Sequence, residues 1–181
     1  MAHPFFTIGH STRPFEEFIA LLQDAAADLV VDVRTVPRSR ANPQYNADVL
    51  PAALATFGLG YIHMQELGGL KGRSRQVPEA LNGFWENASF HNYADYAMTG
   101  PFQVGLRKLR RLGRTQRCAI MCAEAVWWRC HRRIIADYLI VAGESAIHIL
   151  ARGRMEPARR TEAAQVGPNG TLIYPRPAPA S

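Results

Sequence analysis

The sequence has few cysteines, no long apolar run and no glycine-rich phosphate signature, and each absence removes a class of protein. Three cysteines in 181 residues are too few, and odd in number, for a disulfide framework, and point to a reducing compartment. No stretch approaches the roughly 20 apolar residues of a membrane span. Met1-Ala2-His3-Pro4 also lacks the pattern of a secretory signal, so a cytoplasmic protein without a membrane partner is expected. Neither Gly-x-Gly-x-x-Gly nor Gly-Lys-Ser/Thr occurs, which leaves dinucleotide and Walker-type binding without support. Cys-x-x-Cys and His-x-x-x-His are missing too, which weakens a structural zinc site.

What is present is an ordinary globular composition, 48% hydrophobic and 20% charged, able to fold without disulfides or metal. Charge is unevenly spread. Residues 1–106 carry 7 basic and 10 acidic side chains, net −3, whereas residues 107–181 carry 14 and 5, net +9. The second half either faces a polyanion, nucleic acid included, or presents a solvated basic surface.

Short apolar runs alternate with helical patterns. Phe5-Phe6-Thr7-Ile8, Leu29-Val30-Val31-Asp32-Val33, Tyr61-Ile62-His63-Met64, Cys118-Ala119-Ile120-Met121-Cys122 and Ala146-Ile147-His148-Ile149-Leu150 read as buried strands. Helices are expected from a Thr12 cap through Leu22, from Asn46 to Phe57, and over Pro78–Trp85 and Phe90–Met98. Two more are expected over Phe102–Leu112 and Cys130–Ala142. This alternation predicts one α/β domain over 1–155, a mainly parallel sheet flanked by helices in a Rossmann-like or flavodoxin-like three-layer arrangement. Residues 156–181 form a Pro/Arg-rich extension whose end is expected to be disordered.

In an open parallel sheet, ligands bind beyond the carboxyl ends of the strands. The residues there are Gly9-His10-Ser11-Thr12, Asp32-Val33-Arg34, Glu66-Leu67-Gly68-Gly69 and Cys122-Ala123-Glu124. Random loops seldom supply His, Arg, Cys and Glu together. Cys122 ends a strand, and Cys130 opens a helix beside Arg129, His131 and Arg132. Such a field favours the thiolate, and the same groups would hold a phosphate or carboxylate. Glu124 is placed to act as a base or to orient an arginine. The alternative is that Cys122 and Cys130 are small core residues. A metal on Cys122 and Cys130 is a further option. Asp32 and Arg34 form an internal ion pair, or Arg34, Arg38 and Arg40 grip an anion. Asn42-Pro43-Gln44-Tyr45 would then supply an aromatic lid. A phosphatase loop fails, because six residues and no glycine separate Cys122 from Arg129. A rhodanese loop fails likewise at Cys130-His131-Arg132-Arg133, which lacks glycine.

Four ordered motifs resemble the domain of unknown function 488 family over about residues 5–150. They are Thr7-Ile8-Gly9-His10-Ser11, Asp32-Val33-Arg34 with Pro37 and Ser39, Leu67-Gly68-Gly69, and Met121-Cys122-Ala123-Glu124 followed by Cys130-His131-Arg132. The resemblance implies a small α/β domain of bacterial or archaeal type with the motif residues gathered at one site. It supplies no activity and no cofactor. Carried over by position, the expected site has Cys130, Cys122, Glu124 and His10 in catalytic roles. Ser11, Asp32, Arg34, Ser39, His131 and Arg132 would bind the substrate. The expected partner is an anionic small molecule or nucleotide-like group, handled by an enzyme. A nucleic-acid-binding protein and a metal-binding or redox-sensing module are the alternatives.

Overall fold

The computed structural model describes residues 2–181. Five strands run parallel: β1 (Phe5–Gly9), β2 (Leu29–Asp32), β3 (Gly60–His63), β4 (Cys118–Cys122) and β5 (Ala146–Ala151). A sixth, β6 (Arg154–Pro157), pairs antiparallel with β5. The helices are α1 (Phe15–Asp24), α2 (Leu50–Ala55), α3 (Ala88–Ala97), α4 (Gly100–Leu112) and α5 (Arg132–Val141). A short hairpin, β7 (Gln165–Val166) with β8 (Leu172–Ile173), lies near the carboxyl end. Among the described residues no helix is long and apolar enough to cross a membrane.

The sheet order is β3-β2-β4-β1-β5-β6. The chain moves one way from β1 to β3 and the other way from β3 to β5, so right-handed crossovers put the helices on opposite faces. The core divides accordingly. Phe6, Ile8, Val30, Ala119 and Met121 pack with Phe18, Ile19 and Leu22 of α1 and Leu50 and Leu54 of α2. Phe5, Val31, Ile120 and Cys122 face Phe102 and Leu109 of α4 and Ile134, Ile135 and Tyr138 of α5. This is a single three-layer α/β domain, as its strand and helix alternation predicts. Its β4 inserts between β2 and β1, which neither of the two common doubly wound orders does. Neighbouring β1 and β4 send their outgoing chains to opposite faces, and that opens a crevice at their carboxyl ends.

Local departures from the expected elements have identifiable causes. Thr12 does not cap α1: Arg13 N–H donates to the His10 carbonyl at 3.1 Å, and Pro14 precedes the helix without a side-chain cap. Asn46 starts no helix, because its Oδ1 accepts from Ser39 N–H at 2.6 Å, and α2 shortens to six residues. Between Pro78 and Trp85 only one 3-10 turn forms, Glu79–Asn82. The segment after β6 folds back onto α5. Leu172 and Tyr174 are buried, Leu172 N–H donates to Tyr138 Oη at 2.9 Å, and Tyr174 Oη–H donates to Asp137 Oδ2 at 2.9 Å.

Candidate functional site

A cavity of about 410 Å³ opens beyond the carboxyl ends of β1, β2 and β4. His10, Arg34, Ser39, Cys122, Glu124, Cys130 and His131 line it. Asp32 and Arg132 lie beneath these residues. Ser11 is a turn residue with φ of 47°, and its side chain does not reach the cavity.

The floor is built around Cys130, two residues before the start of α5. Its carbonyl accepts from Arg133 N–H at 3.0 Å, and its Sγ accepts from Arg132 N–H at 3.4 Å and from Arg132 Nε–H at 3.3 Å. The sulfur thus lies against the first N–H of α5, just ahead of the His131 cap position. Cys122 Sγ lies 2.7 Å from Cys130 Sγ. His131 Nε2–H donates to the Val33 carbonyl at 2.9 Å, which leaves Nδ1 facing Cys130 Sγ at 3.5 Å. Burial pushes the Cys130 thiol up. The Cys122 hydrogen bond, His131 and the Arg132 guanidinium outweigh it and hold Cys130 well below the ordinary cysteine range. Cys122 moves well above that range through burial and its hydrogen bond to Cys130. Within the pair a proton therefore favours Cys122 and negative charge favours Cys130.

Arg132 is 1% exposed. Its Nη2–H donates to the Glu124 carbonyl at 2.7 Å and Nη1–H to Thr7 Oγ1 at 3.4 Å. It is a buried cation facing the sulfurs, not a surface grip for substrate. Glu124 contributes that carbonyl to the architecture, while its side chain is exposed at the cavity. Gly9 makes the crossing possible, since a Cβ there would lie 1.8 Å from the Glu124 carbonyl oxygen. Gly69 performs the same service for His131, whose Nδ1 would lie 2.4 Å from an added Cβ. Trp127 anchors the loop between the cysteines. It stacks on His148 at 4.4 Å, and its Nε1–H donates to Glu156 Oε1 at 2.8 Å.

On the β2 side, Asp32 and Arg34 are an internal ion pair. Arg34 Nε–H donates to Asp32 Oδ1 at 2.9 Å, and Nη2–H to Asp32 Oδ2 and the Tyr45 carbonyl, both at 2.7 Å. Tyr61 Oη–H donates to the same Oδ2 at 2.6 Å. Arg34 Nη1–H donates to His10 Nε2 at 3.2 Å, so of the five guanidinium N–H groups one remains for a ligand. His10 Nδ1–H donates to the Ser11 carbonyl at 2.9 Å, and burial, with smaller effects from neighbouring charges, lowers its pKa. His10 is therefore a neutral acceptor that fixes Arg34. Tyr45 is no lid: it is fully buried, stacked on His10 at 4.3 Å.

The rim holds two arginines of the anion-gripping alternative and an apolar wall. Arg38 and Arg129 are exposed at the cavity, and neither guanidinium has a hydrogen-bond partner among the described residues. Val36, Leu70 and Phe90 form an apolar wall. Val36 and Leu70 lie in loops with no repeating face to mark them, whereas Phe90 lies in the first turn of α3. Among the described residues no three His, Cys, Asp or Glu side chains gather as metal ligands. On the basic half, Lys108 pairs with Glu66 and Arg110 with Glu144, which neutralises part of the α4 surface.

The sequence profile described as Domain of unknown function DUF488 matches residues 14–139. The chain belongs to the DUF488 family. No curated protein and no solved structure matches it. In this DUF488 chain the four motifs converge on one cavity: Gly9 and His10 from the first, Asp32 and Arg34 from the second, Gly69 from the third, and both cysteines with His131 and Arg132 from the fourth.

Proposed function

We propose that this protein is an enzyme that acts on a small anionic molecule with the Cys130 thiolate as nucleophile. One observation carries the reading: Cys130 Sγ accepts from Arg132 N–H and Nε–H and, with Cys122 at 2.7 Å, lies on the floor of a cavity rimmed by free cationic side chains. Arg38, Arg129 and the remaining Arg34 Nη1–H bind the anion. The Cys130 lone pair forms a bond to an electrophilic centre of the substrate. The leaving group departs with the electrons of the broken bond and takes a proton from water at the open cavity mouth.

Alkylation of the reduced protein against pH tests this directly. Cys130 is expected to react with iodoacetate at a midpoint well below the ordinary cysteine value of about 8.5. Iodoacetate should outpace iodoacetamide relative to a free thiol, and Arg38→Glu with Arg129→Glu should abolish that preference. A midpoint near the ordinary value, in protein that melts cooperatively, refutes the nucleophile.

A further inference from the structure

Resting on that reading, we infer that Cys122 and Cys130 together form a dithiol/disulfide couple that reduces a small disulfide bearing a carboxylate or phosphate.

Two cysteines from different elements meet here on one face of the sheet. Cys122 ends β4 and Cys130 lies just ahead of α5, and their sulfurs are in contact at 2.7 Å. The third cysteine gives the contrast: Cys118 is buried at the other end of β4 with only the Gln116 carbonyl near its sulfur, at 3.7 Å. The two meeting sulfurs are unequal. Cys130 faces the two Arg132 donors and His131, so it is the attacking sulfur. Cys122 has, besides Cys130, only the Glu124 carbonyl as a hydrogen-bond partner, at 3.8 Å, and no arginine donor, so it attacks second. The loop joining them is pinned at Trp127, on the side away from the cavity, which keeps both sulfurs in reach while a substrate enters. Arg38 and Arg129 select the anion, and Val36, Leu70 and Phe90 accept an aromatic or aliphatic body beside it.

The chemistry closes without a bound cofactor. The Cys130 thiolate attacks one sulfur of the substrate; the substrate S–S bond breaks, and the first thiolate leaves and takes a proton. A mixed disulfide now joins Cys130 to the remaining half. Cys122 then gives its proton to the departing second thiolate as its sulfur attacks Cys130 Sγ. The Cys122–Cys130 bond forms and the second thiol is released. The substrate has gained two electrons and two protons; the pair has lost two electrons and its one proton, and water supplies the proton taken by the first leaving thiolate. A cellular dithiol restores the reduced pair.

The test uses the whole chain, reduced and freed of reductant, and dithiobis(nitrobenzoate), an aromatic disulfide carrying carboxylates. Wild type is expected to release about two equivalents of thionitrobenzoate in the fast phase and to end, by intact mass, as an internal disulfide without adduct. Cys122→Ser and Cys122→Ala, both checked by thermal melting, should release about one equivalent and keep one thionitrobenzoate on Cys130. Cys130→Ser should lose the fast phase, and Cys118→Ser should behave as wild type. A stable mixed disulfide on wild-type Cys130 overturns the couple. If alkylation still shows a depressed Cys130 midpoint, only the couple falls. If that midpoint is ordinary, the nucleophile falls with it.

Discussion

Replacing Arg132 by Met tests how the fold sets the reactivity of Cys130. The guanidinium is 1% exposed, and methionine fills much of its volume without charge. Its Nε lies 3.3 Å from Cys130 Sγ, so at an effective dielectric of about 20 the attraction to a thiolate is about 5 kcal/mol. Losing that attraction raises the Cys130 pKa, and loss of the Nε–H hydrogen bond acts in the same direction. The Cys122 and His131 contributions remain, so Cys130 should rise into or above the ordinary thiol range. The rate at one pH is a poor readout, because a higher pKa also makes the surviving thiolate more nucleophilic. The measurement is therefore the midpoint of thiolate ultraviolet absorbance across pH, with Cys118→Ser as background and a melting curve beside it. Stability itself should change modestly. The Glu124 carbonyl and Thr7 hydroxyl each lose a donor worth about 1 kcal/mol, while the cost of burying a cation disappears. A folded variant whose midpoint stays in place would show that Arg132 does not set the Cys130 charge.

Asp32→Asn removes the counter-charge of a guanidinium that is 6% exposed; it should cost about 3–5 kcal/mol in urea unfolding, and a loss below about 1 kcal/mol would contradict the ion-pair assignment. Gly9→Ala places a Cβ against backbone, 1.8 Å from the Glu124 carbonyl oxygen, so it should both destabilise the protein and raise the Cys130 alkylation midpoint. Wild-type values for both would show that the crossing can move freely. Stability also responds to pH. Cys130 ionises below the value of about 8.5 that it has in the unfolded chain. Between its folded midpoint and that value the unfolded state binds one more proton. Stability thus rises with pH there by about 1.4 kcal/mol per unit, and the gain is lost as pH falls through the folded midpoint. Cys130→Ser should remove this slope, and a slope that persists would assign it to another group.

The layers and the location of the site were legible in the sequence for local reasons. Buried strands such as Val30-Val31 and Ile120-Met121 are continuous apolar runs, and the α5 stripe of Ile134, Ile135, Tyr138 and Leu139 has clear helical spacing. Reactive residues at strand ends marked the crevice, since parallel strands bring those ends together. What escaped was set by distance along the chain. The insertion of β4 between β2 and β1 depends on two long crossovers. The internal use of Arg34 depends on Tyr45, His10 and Tyr61 arriving from elsewhere, and Asp32-Val33-Arg34 alone fits a ligand grip equally well. The contact between Cys122 and Cys130 follows from how α5 docks on β4, which their separation in sequence does not determine. Tyr174 sits among prolines, with no periodicity to announce a core residue.

The docking of that late segment has a practical consequence for anyone trimming the protein. The family profile spans residues 14–139, yet β1 at Phe5–Gly9 lies inside the sheet between β4 and β5. A fragment cut to the profile would lose β1, the partner along one whole edge of β4, together with β5 and β6 beyond it. Asp137 and Tyr138 would also lose the partners supplied by Thr161, Leu172 and Tyr174, loosening the helix whose first turn holds Cys130. The smallest unit to express is therefore one that reaches from Phe5 to at least Tyr174, and affinity tags belong beyond those two points.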